Sequence, residues 1–175
     1  SSSSGIAGSA VTITGTGFCT AGNSGSIRGE TATITAQSST AITVTVGAGT
    51  CSGSVLVINA CGGVSNGLSY TINAPVISNL SSSSGIAGSA LTITGTGFSG
   101  TGNSVTIGGI AATVTSQSAT SIGVTVGAGT CSGNVVVTNA CGGVSNSVGY
   151  TINAPVISSL SSGNGIAGSS VTITG

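Results

Sequence analysis

The amino-acid sequence predicts an all-β chain built of antiparallel β-sandwiches in tandem, and three observations carry that expectation. The first is repetition: residues 1–80 align without a gap onto residues 81–160 with 59 of 80 positions identical, and residues 161–175 begin a third copy. The second is that short runs alternate apolar and hydroxyl side chains with a period of two, which turns one face of a strand toward a core. The third is that glycine-rich breaks separate these runs and no window carries the 3.6-residue apolar stripe of a helix. A period of 80 lies above the roughly 20–50 residues of solenoid repeats, so each copy is read as a small domain with its own core.

Taken in order, Val11-Thr12-Ile13-Thr14 and its copy Leu91-Thr92-Ile93-Thr94 alternate cleanly and end at the breaks that start with Gly15 and Gly95. Arg28 and Glu30 are expected two apart on one face of a strand, as a solvated pair worth at most about 1 kcal/mol or as an interchain contact. Their counterparts are Gly108 and Ile110, so the fold does not need the pair. Thr33-Ile34-Thr35 and Thr113-Val114-Thr115 give a shorter strand, and Ile42 to Val46 and Ile122 to Val126 alternate again. Val55-Leu56-Val57-Ile58 and Val135-Val136-Val137 are apolar on both faces. If the flanking valines point inward, Leu56 and Val136 point out, and either a neighbouring loop covers them or they form a contact surface for another domain or chain. Six or seven short strands per copy, rich in β-branched residues, read as a sandwich of immunoglobulin type.

Pro75 and Pro155 are the only prolines, and proline suits a linker or the first residue of an edge strand because it has no backbone donor. Domain starts are therefore placed near Ala74 and Ala154. Residues 1–73 are then a repeat lacking its first strand, 74–153 a complete repeat, and 154–175 the start of a third. A third copy that stops at Gly175 in mid-strand fits a window onto a longer array, or a trimmed chain.

Composition narrows the function. Ser, Thr and Gly fill 91 of 175 positions, Arg28 and Glu30 are the only charged residues, and His, Met, Trp and Lys are absent. One arginine cannot neutralise a phosphate backbone, so nucleic acid is excluded as a partner. One isolated carboxylate cannot support paired acid–base chemistry, so no enzyme is expected. No metal or other cofactor is expected either, because the His and carboxylate ligands are missing and the cysteine spacing C-x9-C is not that of a zinc site. No run approaches the ~20 apolar residues of a membrane span, and Gly15-Thr16-Gly17 precedes no helix that would make it a dinucleotide fingerprint. Asn79-Leu80-Ser81 is a single glycosylation sequon. The serine runs Ser1–Ser4 and Ser81–Ser84 read as loop rather than as a sugar-bearing stalk, with O-glycans left open.

Several segments resemble a known family. Val11-Thr12-Ile13-Thr14-Gly15-Thr16-Gly17-Phe18, Ser52-Gly53-Ser54-Val55-Leu56-Val57, Cys61-Gly62-Gly63-Val64-Ser65-Asn66 and Tyr70-Thr71-Ile72 are similar to the IPT/TIG domain, an immunoglobulin-like module. The resemblance implies a sandwich of this size, with Phe18 and Phe98 closing the core after the second strand and Tyr70 and Tyr150 on the last. It carries no catalytic residues, and the basic loops of the family's DNA-binding members are missing here.

The cysteines are Cys19, Cys51, Cys61, Cys131 and Cys141, with Ser99 in place of the first in the second copy. Along an extended strand Cys51 and Cys61 would stand roughly 30 Å apart, too far for a disulfide unless the strand folds back. In an immunoglobulin-like topology Cys19 and Cys61 share one pole, and Cys51 at the other faces Cys141 of the next domain. Three arrangements stay open: a Cys51–Cys141 bridge across the junction, repeated from Cys131 into a further copy; a local Cys51–Cys61 bridge; and free or otherwise paired thiols. Five cysteines in so short a chain favour an oxidising compartment, hence an extracellular or cell-surface location.

Two functions fit. The first is a structural subunit of an extracellular filament, pilus or surface stalk whose partners are copies of itself, either as one long array or through strand donation by Ala154–Leu160. The second is an adhesin-type module that displays loops to carbohydrate or another cell, with glycan as the candidate partner. Gly, Ser, Ala and Thr in the loops favour the first, since ligand-binding loops are enriched in Tyr, Trp, Arg or Asn.

Overall fold

The computed structural model describes residues 2–175; Ser1, at the head of the first serine run, lies outside them. All its regular elements are strands. The first unit contains β1 (Ser4–Gly5), β2 (Ala10–Thr14), β3 (Ser24–Ile27), β4 (Glu30–Gln37), β5 (Ala41–Thr45), β6 (Gly53–Ile58) and β7 (Leu68–Ile72). The second contains β8 (Val76–Leu80), β9 (Ser84–Gly85), β10 (Ala90–Thr96), β11 (Ser104–Ile107), β12 (Ile110–Gln117), β13 (Ser121–Thr125), β14 (Gly133–Thr138) and β15 (Val148–Ile152). A last pair, β16 (Ser159–Leu160) and β17 (Ile173–Thr174), follows.

Each unit is one sheet curled on itself, of order β1-β7-β6-β3-β4-β5-β2 in the first and β8-β10-β13-β12-β11-β14-β15-β9 in the second. The curl has a local cause. β12 pairs with β11 over residues 110–112 and with β13 over 113–117, with a register shift between Val114 and Ser116. The bulge bends the strand, so one strand passes from one layer of the sandwich to the other. β4 does the same, with its shift between Ile34 and Ala36. The fold is an all-β, immunoglobulin-like sandwich.

Alternation builds two separate cores. Leu91, Ile93, Ile107, Ile122, Val124, Val135 and Val137 are almost fully buried in the second unit, together with Phe98 and Tyr150; Val11, Ile27, Ile42, Val44, Val57 and Tyr70 form the first. The threonines between them face solvent. The units differ at one edge. Antiparallel β8 lies along β10, pairing Val76 with Thr96, Ile77 with Gly95 and Leu80 with Ile93, and it buries Ile77. Among the described residues none lies along β2 as β8 lies along β10, and Ile13 and Phe18 are only partly buried, whereas Ile93 and Phe98 are 0% exposed.

One placement differs from expectation. Arg28 does not lie on a strand. It forms with Gly29 the two-residue turn between β3 and β4, and both have positive φ, 53° and 84°. A two-residue hairpin loop needs that backbone at both positions to match the strand twist, and Gly108 and Gly109 supply it in the second unit. The Arg28–Glu30 spacing is therefore that of a turn residue and the first residue after it.

Candidate functional site

The feature that most distinguishes this molecule lies between its units. A disulfide joins Cys51 to Cys141, with Cα atoms 5.4 Å apart and 90 residues between them in sequence. Cys51 follows β5 on a short turn. Gly49 supplies the positive φ, and the Thr50 N–H donates to the Gly47 carbonyl. Cys141 sits in the β14–β15 loop, which is organised from inside by Asn139. That side chain is 6% exposed; its Oδ1 accepts from the Cys141 and Gly143 N–H groups and its Nδ2 donates to the Gly97 carbonyl. A buried amide that satisfies three backbone groups holds a loop in one shape.

The rest of the junction is small residues in close approach. A Cβ on Gly97 would stand 3.0 Å from the Pro75 Cα and 3.4 Å from Ile6 of the first unit, and one on Gly100 would stand 3.3 Å from Ala48. Arg28, Ser52 and Ile72 line a shallow cavity beside the disulfide with Asn139, Gly142 and Gly143. Pro75 is buried at the linker, and its missing N–H leaves no donor unsatisfied there.

Just past the linker, Asn146 fixes β8. The Ile77 N–H donates to Asn146 Oδ1 at 2.7 Å, and Asn146 Nδ2 donates to the Ile77 carbonyl at 3.1 Å. One side chain thus closes both hydrogen bonds of the residue that plugs the core. The same positions in the first unit surround an open groove of about 370 Å³, lined by Ile13, Gly15, Phe18, Asn66, Leu68 and Tyr70 among others. Leu68 is 59% exposed there.

Cys19, Cys61 and Cys131 are free thiols. Cys19 is held by Asn23, which accepts from its N–H and donates to its carbonyl. Its counterpart Ser99 is held by Asn103 in the same way, and its hydroxyl also accepts from the Ala140 N–H at 3.1 Å and so braces the Cys141 loop. Leu56 and Val136 are half-buried, and the backbone at Gly67 lies against the Leu56 side chain. Arg28 and Glu30 are exposed, as is Asn79 on β8. Among the described residues no group of three or more His, Cys, Asp or Glu side chains could hold a metal, and no helix is long and apolar enough to cross a membrane. Sequence reasoning missed Asn139 and Asn146. The available signal was Asn-Ala-Cys-Gly-Gly, an amide two residues before a cysteine at a turn.

Residues 75–152 match the model of the IPT/TIG domain, and that stretch is an IPT/TIG domain. No curated protein matches the chain. Among solved structures, an auxiliary nutrient binding protein from Bacteroides thetaiotaomicron is 22% identical with a TM-score of 0.42, over 46% of this chain and 21% of that one. SGBP-B from a complex xyloglucan utilization locus in Bacteroides uniformis is 21% identical with a TM-score of 0.41, over 83% of this chain and 45% of that one. The plexin A4 extracellular region is 18% identical with a TM-score of 0.42, over 85% and 17%. The matched part spans 21%, 19% and 21% of the first three such structures.

Proposed function

We propose that this protein is a structural subunit of an extracellular filament, pilus or surface stalk, in which immunoglobulin-like units are joined end to end covalently. The observation that carries this reading is the Cys51–Cys141 bond between units whose sequences are nearly interchangeable. A bond that fixes one unit on the next is of most use where the same relation recurs. The disulfide also supports an oxidising, extracellular setting. Composition supports the same reading, because a surface of Ser, Thr and Gly with one Arg and one Glu lacks the like-charge repulsion that keeps most sheet proteins from associating. Contacts made from such groups depend little on salt. The reading assigns the protein no catalytic step.

Negative-stain microscopy of the protein purified without reductant tests it. Long uniform filaments are the expected outcome. Dispersed particles with measurable affinity for a glycan would replace this reading with that of an adhesin-type binding module.

A further inference from the structure

We propose that the cavity beside the Cys51–Cys141 bond is an exchange site for a small anionic thiol of the glutathione class, drawn in by Arg28, and that the covalent tie between the two units is therefore reversible. The inference concerns one joint within one chain and does not depend on the filament reading.

The first ground is access. Cys51 and Cys141 are half-buried rather than sealed in a core, and both line a cavity of about 320 Å³ between the units. That volume falls at the lower end of the roughly 300–1,000 Å³ of small-molecule sites. Gly142 and Gly143 line it beside Cys141, and having no side chains they leave the approach to its sulfur clear on their side.

The second is charge. Arg28 is the only cationic side chain in the sequence and it lines this cavity, whereas Glu30, the only acidic one, does not. The β3–β4 hairpin puts it there. The Arg28 N–H donates to the Ser54 carbonyl at 2.9 Å, and a Cβ on Gly53 would stand 2.6 Å from the Arg28 Cβ, so the turn lies over the chain that follows Cys51. The second unit packs its turn in the same way, since a Cβ on Gly108 would collide with the Cys131 carbonyl. Glycine serves that turn with φ of 57°, so the first unit gains nothing in backbone conformation from an arginine held at 53°. What the guanidinium adds is attraction for a carboxylate-bearing thiol at the mouth of the cavity. Ser52 lines the same cavity; its oxygen accepts from the Ile72 N–H at 2.8 Å, which leaves the hydroxyl proton free to donate to the ligand.

The third is the difference between the two sulfurs. Cys141 Sγ lies 3.4 Å from the Thr50 carbonyl oxygen and 3.7 Å from that of Gly49, whereas Cys51 Sγ lies 3.6 Å from the Gly49 oxygen. A thiolate at Cys141 would face the negative ends of two carbonyl dipoles, and one at Cys51 faces a single one. A neighbouring cation lowers a thiol's pKa, and a thiol of lower pKa leaves faster, so Cys51 is the leaving group. The entering thiolate attacks Cys141 Sγ and forms a new S–S bond to it; the Cys51–Cys141 bond breaks, and its electron pair departs on Cys51, which takes a proton from water. A second small thiolate attacks the sulfur of the first, so that Cys141 is released and protonated and the small thiol is lost as its own disulfide. Two small thiols thus supply the two electrons and two protons that the bond takes up.

The test uses the full chain carrying C19S, C61S and C131S, so that the junction bond holds its only cysteines. Reduction without denaturant is followed by acid quenching and mass spectrometry with three thiols whose thiolates differ in net charge: glutathione, doubly negative; mercaptoethanol, singly negative; and cysteamine, neutral. R28Q should slow glutathione about fivefold more than it slows cysteamine, the size expected of a unit charge acting across a few ångströms of water, with mercaptoethanol between them. R28K, which keeps the charge, should restore the difference, and added salt should narrow it. The first adduct trapped should be glutathione on Cys141. Equal slowing of all three thiols by R28Q, an adduct on Cys51 instead, or a bond that glutathione leaves untouched until urea unfolds the units would each overturn the proposal.

Discussion

Asn146 shows how much one side chain can do in a chain with few polar anchors. Its amide closes both backbone hydrogen bonds of Ile77, while Asn66 faces the open groove. N146A should therefore cost the second unit at least about 1–3 kcal/mol, the range for one buried group left unsatisfied, because it leaves both the Ile77 N–H and the Ile77 carbonyl unpaired, and N66A should cost the first unit much less, both measured by urea unfolding. Tyr70 offers the opposite case. Its hydroxyl is buried with no hydrogen-bond partner, and desolvation raises its pKa above 10.0. The buried neutral phenol contributes stability that is complete below the unfolded value and declines as pH rises through the higher folded value. Y70F should leave the first unit equally stable or more stable by about 1 kcal/mol at neutral pH, and it should remove part of the alkaline decline that begins near pH 10. A steeper decline in Y70F would contradict this account.

At the level of elements, the β3–β4 hairpin carries a cost that its copy avoids. Arg28 holds a left-handed backbone with φ of 53°, a conformation that disfavours side chains by roughly 1 kcal/mol. Its alkyl stem also packs at Gly53, where an added Cβ would stand 2.6 Å from the Arg28 Cβ. R28G should raise the stability of the first unit by about 0.5–1 kcal/mol, read as a higher urea midpoint, and a fall would mean that the stem's packing outweighs the backbone strain. The elements also show what the sequence could reveal. Strands whose two faces differ, such as Val11 to Thr14 and Ile42 to Val46, were legible because alternation records burial directly. The β3 strand was not, since Ser24-Gly25-Ser26-Ile27 has one large apolar residue and the glycine packs by close approach to Val44, whereas its copy Ser104-Val105-Thr106-Ile107 does alternate but over only four residues. Arg28 was misplaced because a turn is recognised by its φ, and a two-residue loop with arginine at its first position gives no turn signal beyond Gly29. The asparagines behind the cysteine loops were hidden for a similar reason. Their role lies in which backbone groups they reach, and spacing alone does not show that.

For the whole molecule, the question is what the Cys51–Cys141 bond adds to two units that each have a hydrophobic cluster of their own. Among the described residues no strand pairing crosses between the units, so either core can unfold alone. With the bond intact, however, an unfolded second unit remains tied to the folded first at Pro75 and at Cys141, which closes a long loop. An unfolded first unit is tied to the second at its linker and at Cys51, which closes a shorter one. Loop-closure entropy puts such constraints at roughly 3 kcal/mol for about 15 residues and 4.7 for about 100, so the bond should stabilise both units and the second by about 1 kcal/mol more. Each unit has one tyrosine, Tyr70 in the first and Tyr150 in the second, so Y150F and Y70F backgrounds report the two by fluorescence separately. In the C51S/C141S double variant both urea midpoints should fall, the Tyr150 transition further than the Tyr70 one. Unchanged midpoints would mean that the junction is already held by Pro75, Gly97 and Ile6 without the bond, and that the disulfide serves only to keep joined units from separating under load.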